Sequence, residues 1–326
     1  MPEITLLGAV TMALARAMEE DENVVILGQD VGVNGGVFRV TEGLIGRFGP
    51  ERVRDTPLAE NMIAGLAVGM AVQGLRPVAE IQFMGFIYPT MDQLVNHASR
   101  FRNRTRGRLS CPMVLRAPFG GGIHAPESHS ESTEAMLAHV PGLRVVIPSA
   151  PGRAYGLLLA AIRDPDPVVF LEPKRIYRTT KEEVADDGEA LPLDTCFVVR
   201  EGDDVTFVTW GAMIKETMAA ARSLDEEGVS VEVIDVATLS PLDSTTILAS
   251  VEKTGRCVII HEAAYTGGFG AEIAARLAEH GLMSLLAPVQ RVTGYDTIMP
   301  LSRLEHQYMP DERRILAAAE RVLAYS

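Results

Sequence analysis

Short β-branched runs alternate with longer helical patterns along almost the whole chain, and that alternation leaves few folds open. Val24-Val25-Ile26-Leu27-Gly28, Pro77 to Phe83, Met113 to Ala117, Val145 to Pro148 and Val168 to Glu172 read as strands. Being mostly apolar throughout, they suit a parallel sheet covered by helices. Helical patterns over Met1 to Glu20, Asn61 to Gln73, Ile87 to Phe101 and Ala150 to Arg163 separate them. A second series has strands at Val205 to Thr209, Val231 to Asp235 and Cys257 to His261. Its helices are Met213 to Glu227, Leu242 to Glu252, Phe269 to His280 and Arg313 to Leu323. Between the series, Glu172 to Arg200 is charged and aperiodic (Lys174, Arg175, Lys181, Glu182, Glu183, Asp186, Asp187), as a surface linker would be. The expectation is an α/β chain of two doubly wound α/β/α domains, residues 1–175 and 201–326, joined by a linker over 176–200.

Composition narrows the function classes. With 326 residues, 47% hydrophobic and 22% charged, the chain can bury two cores. A net charge of −13 argues against nucleic acid or an anionic membrane as partner. The local exception is Arg100, Arg102, Arg104, Arg106 and Arg108, which read as a solvated or subunit-facing basic edge. Cys111, Cys196 and Cys257 form no CxxC pair, which suits a reducing compartment. The acidic run Glu19 to Glu22 does not fit a secretion or transit signal. No apolar run approaches the roughly 20 residues that span a bilayer, so a cytoplasmic protein is expected.

The densest motif is Asp55-Thr56-Pro57-Leu58-Ala59-Glu60-Asn61. Pro57 keeps Thr56 out of helical geometry, and an apolar helix with Ala64, Gly65, Gly69 and Ala71 follows. Glu60 at its entry reads either as a capping glutamate answering the helix dipole or as a buried acid waiting for a ligand. Gly267-Gly268-Phe269-Gly270 is not GxGxxG, since Ile273 occupies the last glycine position, and it reads as a tight turn. Neither GxxxxGK[ST], HExxH nor GxSxG occurs. His129, in Glu127-Ser128-His129-Ser130-Glu131, is a surface residue or a general acid–base. Phe83 and Phe86 are core residues or a face for a flat ligand.

Taken together, these segments resemble the β subunit of the thiamine-diphosphate-dependent decarboxylating component of 2-oxo acid dehydrogenase complexes. The matching stretches include Gly28 to Gly32, Gly35 to Phe38, Asp55 to Glu60, Gly74 to Phe83, Ala161 to Val168, Leu171 to Arg175, Leu239 to Asp243 and Thr266 to Glu272. The resemblance implies a transketolase-like pyrimidine-binding domain followed by a transketolase C-terminal domain. It implies that Glu60 hydrogen-bonds the cofactor's aminopyrimidine, that Phe86 packs on that ring and that Gln82 lines the site. It places His129 near the substrate, in the transfer of the acyl group to lipoamide. It further implies a potassium site at the carbonyls of Met113, Ala161, Ile162 and Asp166 with Asp164.

The family's magnesium and diphosphate motif, GDG followed later by Asn, does not occur; Gly202-Asp203-Asp204 lacks the second glycine. The resemblance therefore implies that an α subunit holds Mg2+ and the diphosphate, in an α2β2 tetramer serving a dihydrolipoyl acyltransferase core and its lipoyl domain. Ile123-His124-Ala125-Pro126-Glu127-Ser128-His129 looks more like the pyruvate-type version than the branched-chain one. Pyruvate is the favoured substrate, branched-chain 2-oxo acids the next. An acetoin dehydrogenase β subunit and a non-catalytic docking scaffold are the alternatives.

Overall fold

The computed structural model describes residues 3–325, so the first two residues of the stretch read as helix from Met1 lie outside it. The chain forms two compact units. One contains the residues up to Phe119 with Met136–Leu193, and the other Gly120–Ala135 with the residues from Asp194 onward. No helix among the described residues is long and apolar enough to cross a membrane.

In the first unit the strands run in the order Arg144–Val146, Val168–Pro173, Val114–Phe119, Arg76–Glu80, Val24–Gly28, Val53–Asp55, and every pairing among them is parallel. From Val24–Gly28 the chain moves to Val53–Asp55 on one side, then crosses to Arg76–Glu80 on the other. Right-handed crossovers in opposite directions put the connecting helices on opposite faces, which is the doubly wound arrangement. Helix Glu60–Val72 packs on Val24–Gly28 and Arg76–Glu80, while Leu6–Glu20 packs on Pro151–Arg163. Thr5 caps the Leu6–Glu20 helix by accepting from the Gly8 N–H at 3.1 Å.

The second unit has a five-stranded sheet in the order Gln290–Val292, Cys257–Ile260, Val205–Thr209, Val231–Asp235, Phe197–Arg200, antiparallel only at the last pair. Helices Ile214–Glu226 and Glu312–Leu323 close its core by placing Ala220, Ala221, Leu224, Ile315, Ala318 and Ala319 against Phe207, Val233 and Val258. Asp311 and Asp243 cap Glu312–Leu323 and Ser244–Thr254 through their carboxylates.

Two expectations fail. Ile87 to Phe101 is not one helix but a chain of short turns, Tyr88–Thr90, Gln93–His97 and Ala98–Arg100, before the single turn Phe101–Arg104. Pro89 lies in the first of these turns, where it has no N–H to give to a continuous ladder. Glu172 to Arg200 does not simply cross the surface either. Glu172, Lys174, Ile176 and Tyr177 are buried, Lys181–Glu183 pairs antiparallel with Glu3–Thr5, and Phe197–Arg200 forms the sheet edge.

Candidate functional site

Gly28 and Glu80 are register partners at the carboxyl ends of adjacent parallel strands, where the strand order reverses. Ligands of open α/β sheets bind in that crevice. The loop leaving Gly28 turns at Asp30, with φ of 59°. Gln82 Nε2 donates to Asp30 Oδ2 at 3.1 Å. Asp55 ties the glycine-bearing part of this loop down, accepting from the Gly32 N–H at 2.6 Å and the Val33 N–H at 3.1 Å. A side chain at position 32 would crowd that carboxylate, which glycine leaves free to take both N–H groups. Thr56 N–H then donates to Gly28 O at 2.9 Å, fixing the entry to the Glu60 helix.

Glu60 is the first residue of helix Glu60–Val72, and the cap position belongs to Ala59, which makes no side-chain bond. The Glu60 carboxylate is half-buried and has no hydrogen-bond or ion-pair partner among the described residues. It enjoys the helix dipole but caps nothing. Around it Leu58, Met62 and Leu66 are 71%, 42% and 45% exposed. Phe86 ends the turn Met84–Phe86, half-buried, its ring edge-on to Phe83 at 5.9 Å. Phe83 in turn meets Phe38 at 5.4 Å.

Beneath these residues lies a feature that the sequence reading missed. Arg116, 1% exposed, reaches from the central strand with Nε and Nη2 to Glu172 at 2.6 and 2.9 Å and with Nη1 to Glu80 at 2.8 Å. Tyr177 donates its hydroxyl to Glu172, and its ring packs on Phe38 at 5.3 Å. Burial would lower the Arg116 pKa, but Glu172 and then Glu80 outweigh it and raise it. Burial also raises the Glu80 pKa, with Arg116 opposing and Glu172 adding. The network ties three strand ends to the segments bearing Gln82, Phe83 and Phe38. The only signal for it in the sequence is one charged residue inside each of three apolar strands.

The residues implied in a potassium site sit where helix Pro151–Arg163 ends. Ile162 O accepts from Arg76 Nη1 at 2.8 Å, and Asp164 O is 3.3 Å from the same nitrogen. Arg144 pairs with the Asp164 carboxylate at 3.0 Å and Arg102 with Asp166 at 2.7 Å. Met113 O accepts from the Val168 N–H at 3.0 Å. Ala161 is buried in the last helical turn. Cations suit this carbonyl end, and guanidinium groups already occupy part of it. Among the described residues no group of three or more His, Cys, Asp or Glu converges as a metal set.

In the second unit the segment Gly120–Ala135 lies over the carboxyl ends of strands Val205–Thr209 and Cys257–Ile260. Trp210 Nε1 donates to Glu134 Oε1 at 3.3 Å, and Ser132 Oγ to Glu262 Oε1 at 2.9 Å. His129 ends the turn Glu127–His129, half-buried, with Nδ1 3.1 Å from Ser128 Oγ. Beside this segment His261 is fully buried and stacks on Trp210 at 5.0 Å. Burial, then Arg291, pushes the His261 pKa down to about 3. Burial pushes the Glu134 carboxyl up to about 7, with Glu262 adding and Trp210 opposing. Gly268 and Gly270 abut the His261 ring, which explains the GGFG turn by close packing.

Residues 2–180 match the transketolase pyrimidine-binding domain family and residues 194–315 the transketolase C-terminal domain family. The pyruvate dehydrogenase E1 component subunit beta of Bacillus subtilis (strain 168) is 48% identical over 325 residues, covering 100% of both chains. That of Acholeplasma laidlawii is 51% identical over 317 residues, covering 97% of each. The chain belongs to the pyruvate dehydrogenase E1 β family. A solved structure described as a split gene transketolase, inactive beta4 tetramer, aligns over 99% of both chains with a TM-score of 0.82 at 24% identity, which bears on the fold alone. For this E1 β chain the expected class holds: two α/β units with mainly parallel sheets. Glu60, Gln82 and Phe86 fall in the first unit and His129 in the second.

Proposed function

We propose that this E1 β chain, assembled with an α subunit and thiamine diphosphate, decarboxylates pyruvate and passes the acetyl group to a lipoyl domain of an acyltransferase core. The Glu60 carboxylate carries the reading: it stands at a helix start, half-open and without a partner among the described residues. A carboxylate acceptor, the Gln82 amide and the half-open Phe86 face suit an aminopyrimidine, which has one hydrogen-bonding edge and two flat faces. The diphosphate has no such counterpart here, because the chain lacks GDG. We therefore assign Mg2+ and the diphosphate to the α subunit. The exposed Leu58, Met62 and Leu66 flanking Glu60 support a covering partner chain.

Thiamine diphosphate, when bound, supplies a nucleophilic carbon and accepts the electron pair released with carbon dioxide. Glu60 would hold the aminopyrimidine by sharing a proton with a ring nitrogen, and the cofactor would then supply its own base. Phe86 would hold the ring by its face and Gln82 by a hydrogen bond from its side-chain amide. His129 serves the substrate side, giving and taking a proton as the acyl group passes to the dithiolane. A potassium ion at the 161–166 turn would share its carbonyls with Arg76. We place the linker between the two domains at residues 176–200, a span that contains the gap between the two family matches.

The test is pyruvate-dependent dye reduction by the purified chain, alone and with its α subunit, in thiamine diphosphate and Mg2+. Activity only in the mixture, higher on pyruvate than on 3-methyl-2-oxobutanoate or acetoin, is expected. Turnover by the single chain would overturn the shared site.

A further inference from the structure

The segment carrying His129 has little regular structure of its own. Between Gly120 and Ser132 it contains one turn, Glu127–His129. Buried carboxylates of the second unit hold it on either side of that turn. On the C-terminal side the bonds are those of Ser132 to Glu262 and Trp210 to Glu134. On the N-terminal side the buried carboxylate is that of Glu305, 2% exposed, on helix Ser302–Tyr308. Its Oε1 accepts from the Gly122 N–H at 2.7 Å and its Oε2 from the His124 N–H at 2.9 Å. His124 Nδ1 lies 2.9 Å from the same Oε2, its side chain 72% exposed.

His124 is in the left-handed region, with φ of 60°. A non-glycine residue there costs on the order of 1–3 kcal/mol and persists only when its surroundings over-determine it. Glu305 supplies that determination, since both backbone donors and the ring converge on one carboxylate. The constraint reaches His129 in a few steps. Ser130 Oγ donates to Ala125 O at 3.5 Å, His129 N–H to Pro126 O at 2.9 Å and Ser130 N–H to Glu127 O at 2.9 Å.

We infer that Glu305 is a positioning residue for acyl transfer, fixing the Gly122–His124 bend and with it the direction in which the segment presents His129. This rests on the reading of His129 given under the proposed function. Glu305 itself touches neither substrate nor cofactor in this scheme. Its effect is confined to steps that need His129 in place, so it differs from a residue that only stabilises the unit.

The experiment compares two rates in the assembled E1 component: acyl transfer to a free lipoylated domain and pyruvate-dependent dye reduction. Glu305→Gln keeps the shape but turns one acceptor into a donor facing backbone N–H groups. A displacement of about 1 Å in a working group costs up to about 100-fold. The ratio of acyl transfer to dye reduction is therefore expected to fall about 10–100-fold with the tetramer intact. In Glu305→Gln/His129→Ala the loss should equal that of His129→Ala alone, because the two act as a unit. Equal loss in both assays, or a fully additive double variant, overturns the inference. If His129→Ala itself spares acyl transfer, the reading of His129 falls and the inference with it. Should Glu305→Gln fail to assemble, His124→Asn is measured, since asparagine tolerates the left-handed backbone. A smaller drop in the same ratio is expected, and an unchanged ratio overturns the proposal.

Discussion

Replacing Arg116 by methionine keeps most of the buried stem but removes the guanidinium from between two carboxylates. Arg116 makes three charge-assisted bonds, at 2.6, 2.9 and 2.8 Å, two of them a bidentate pair with Glu172. Breaking a buried ion pair from one side costs about 3–5 kcal/mol, because the remaining charge has neither solvent nor partner. At roughly 2–4 °C per kcal/mol for a domain of this size, the melting temperature should drop by roughly 6–20 °C. The pH dependence gives a second reading. The Glu80 pKa is already raised by burial with Arg116 opposing, and losing Arg116 raises it further. A group with a raised folded pKa stabilises fully below its unfolded value and loses that contribution as pH climbs through the folded value. The penalty of Arg116→Met should therefore be larger at pH 8 than at pH 5, and Glu80→Gln in the same chain should recover part of it at pH 8. Calorimetric unfolding of the assembled component at both pH values checks this. A loss under about 1 kcal/mol, or a larger penalty at pH 5 than at pH 8, would refute the view that Arg116 neutralises the strand ends.

Glu134→Gln should flatten the pH dependence of stability above pH 5. Glu134 is buried with its pKa pushed up to about 7, so its contribution is whole below the ordinary carboxylate range and lost as pH rises through 7, roughly 3 kcal/mol in all; unfolding curves from pH 5 to 8 with unchanged slope would contradict it. Exchanging potassium for sodium at constant ionic strength should lower the melting temperature by several degrees if the carbonyls at 161–166 bind the ion. Equal melting temperatures would mean that Arg76 and Arg144 serve that helix end by themselves.

Elements with a strong local signature were legible in the sequence. Val24–Gly28, Val205–Thr209 and Val231–Asp235 occur where their β-branched runs placed them. The Glu60 helix begins one residue earlier than the apolar pattern suggested. What was not legible depended on partners distant in the chain. Glu172, Lys174 and Arg175 looked like the start of a solvated linker because charge normally marks surface; in the fold Glu172 meets Arg116, 56 residues away. Glu305 gave no signal at all, since its partners are backbone N–H groups 181 and 183 residues earlier. Helix Ser302–Tyr308 was missed because Leu301, Leu304 and the polar residues between them carry no clear apolar stripe. Glu60 itself stood out only through Pro57 and the helix that follows. In the fold the capping position falls to Ala59, and Glu60 follows it as the first helical residue.

The most direct test of the central claim is Glu60→Gln in the chain assembled with its α subunit, thiamine diphosphate and Mg2+, assayed by pyruvate-dependent dye reduction. Proton sharing by a positioned acid contributes about 10²–10⁴-fold, so activity should fall by at least about 100-fold while the assembly with the α subunit remains intact. Equal activity in the variant and the parent would mean that Glu60 answers only the helix dipole and that the cofactor's pyrimidine is activated elsewhere.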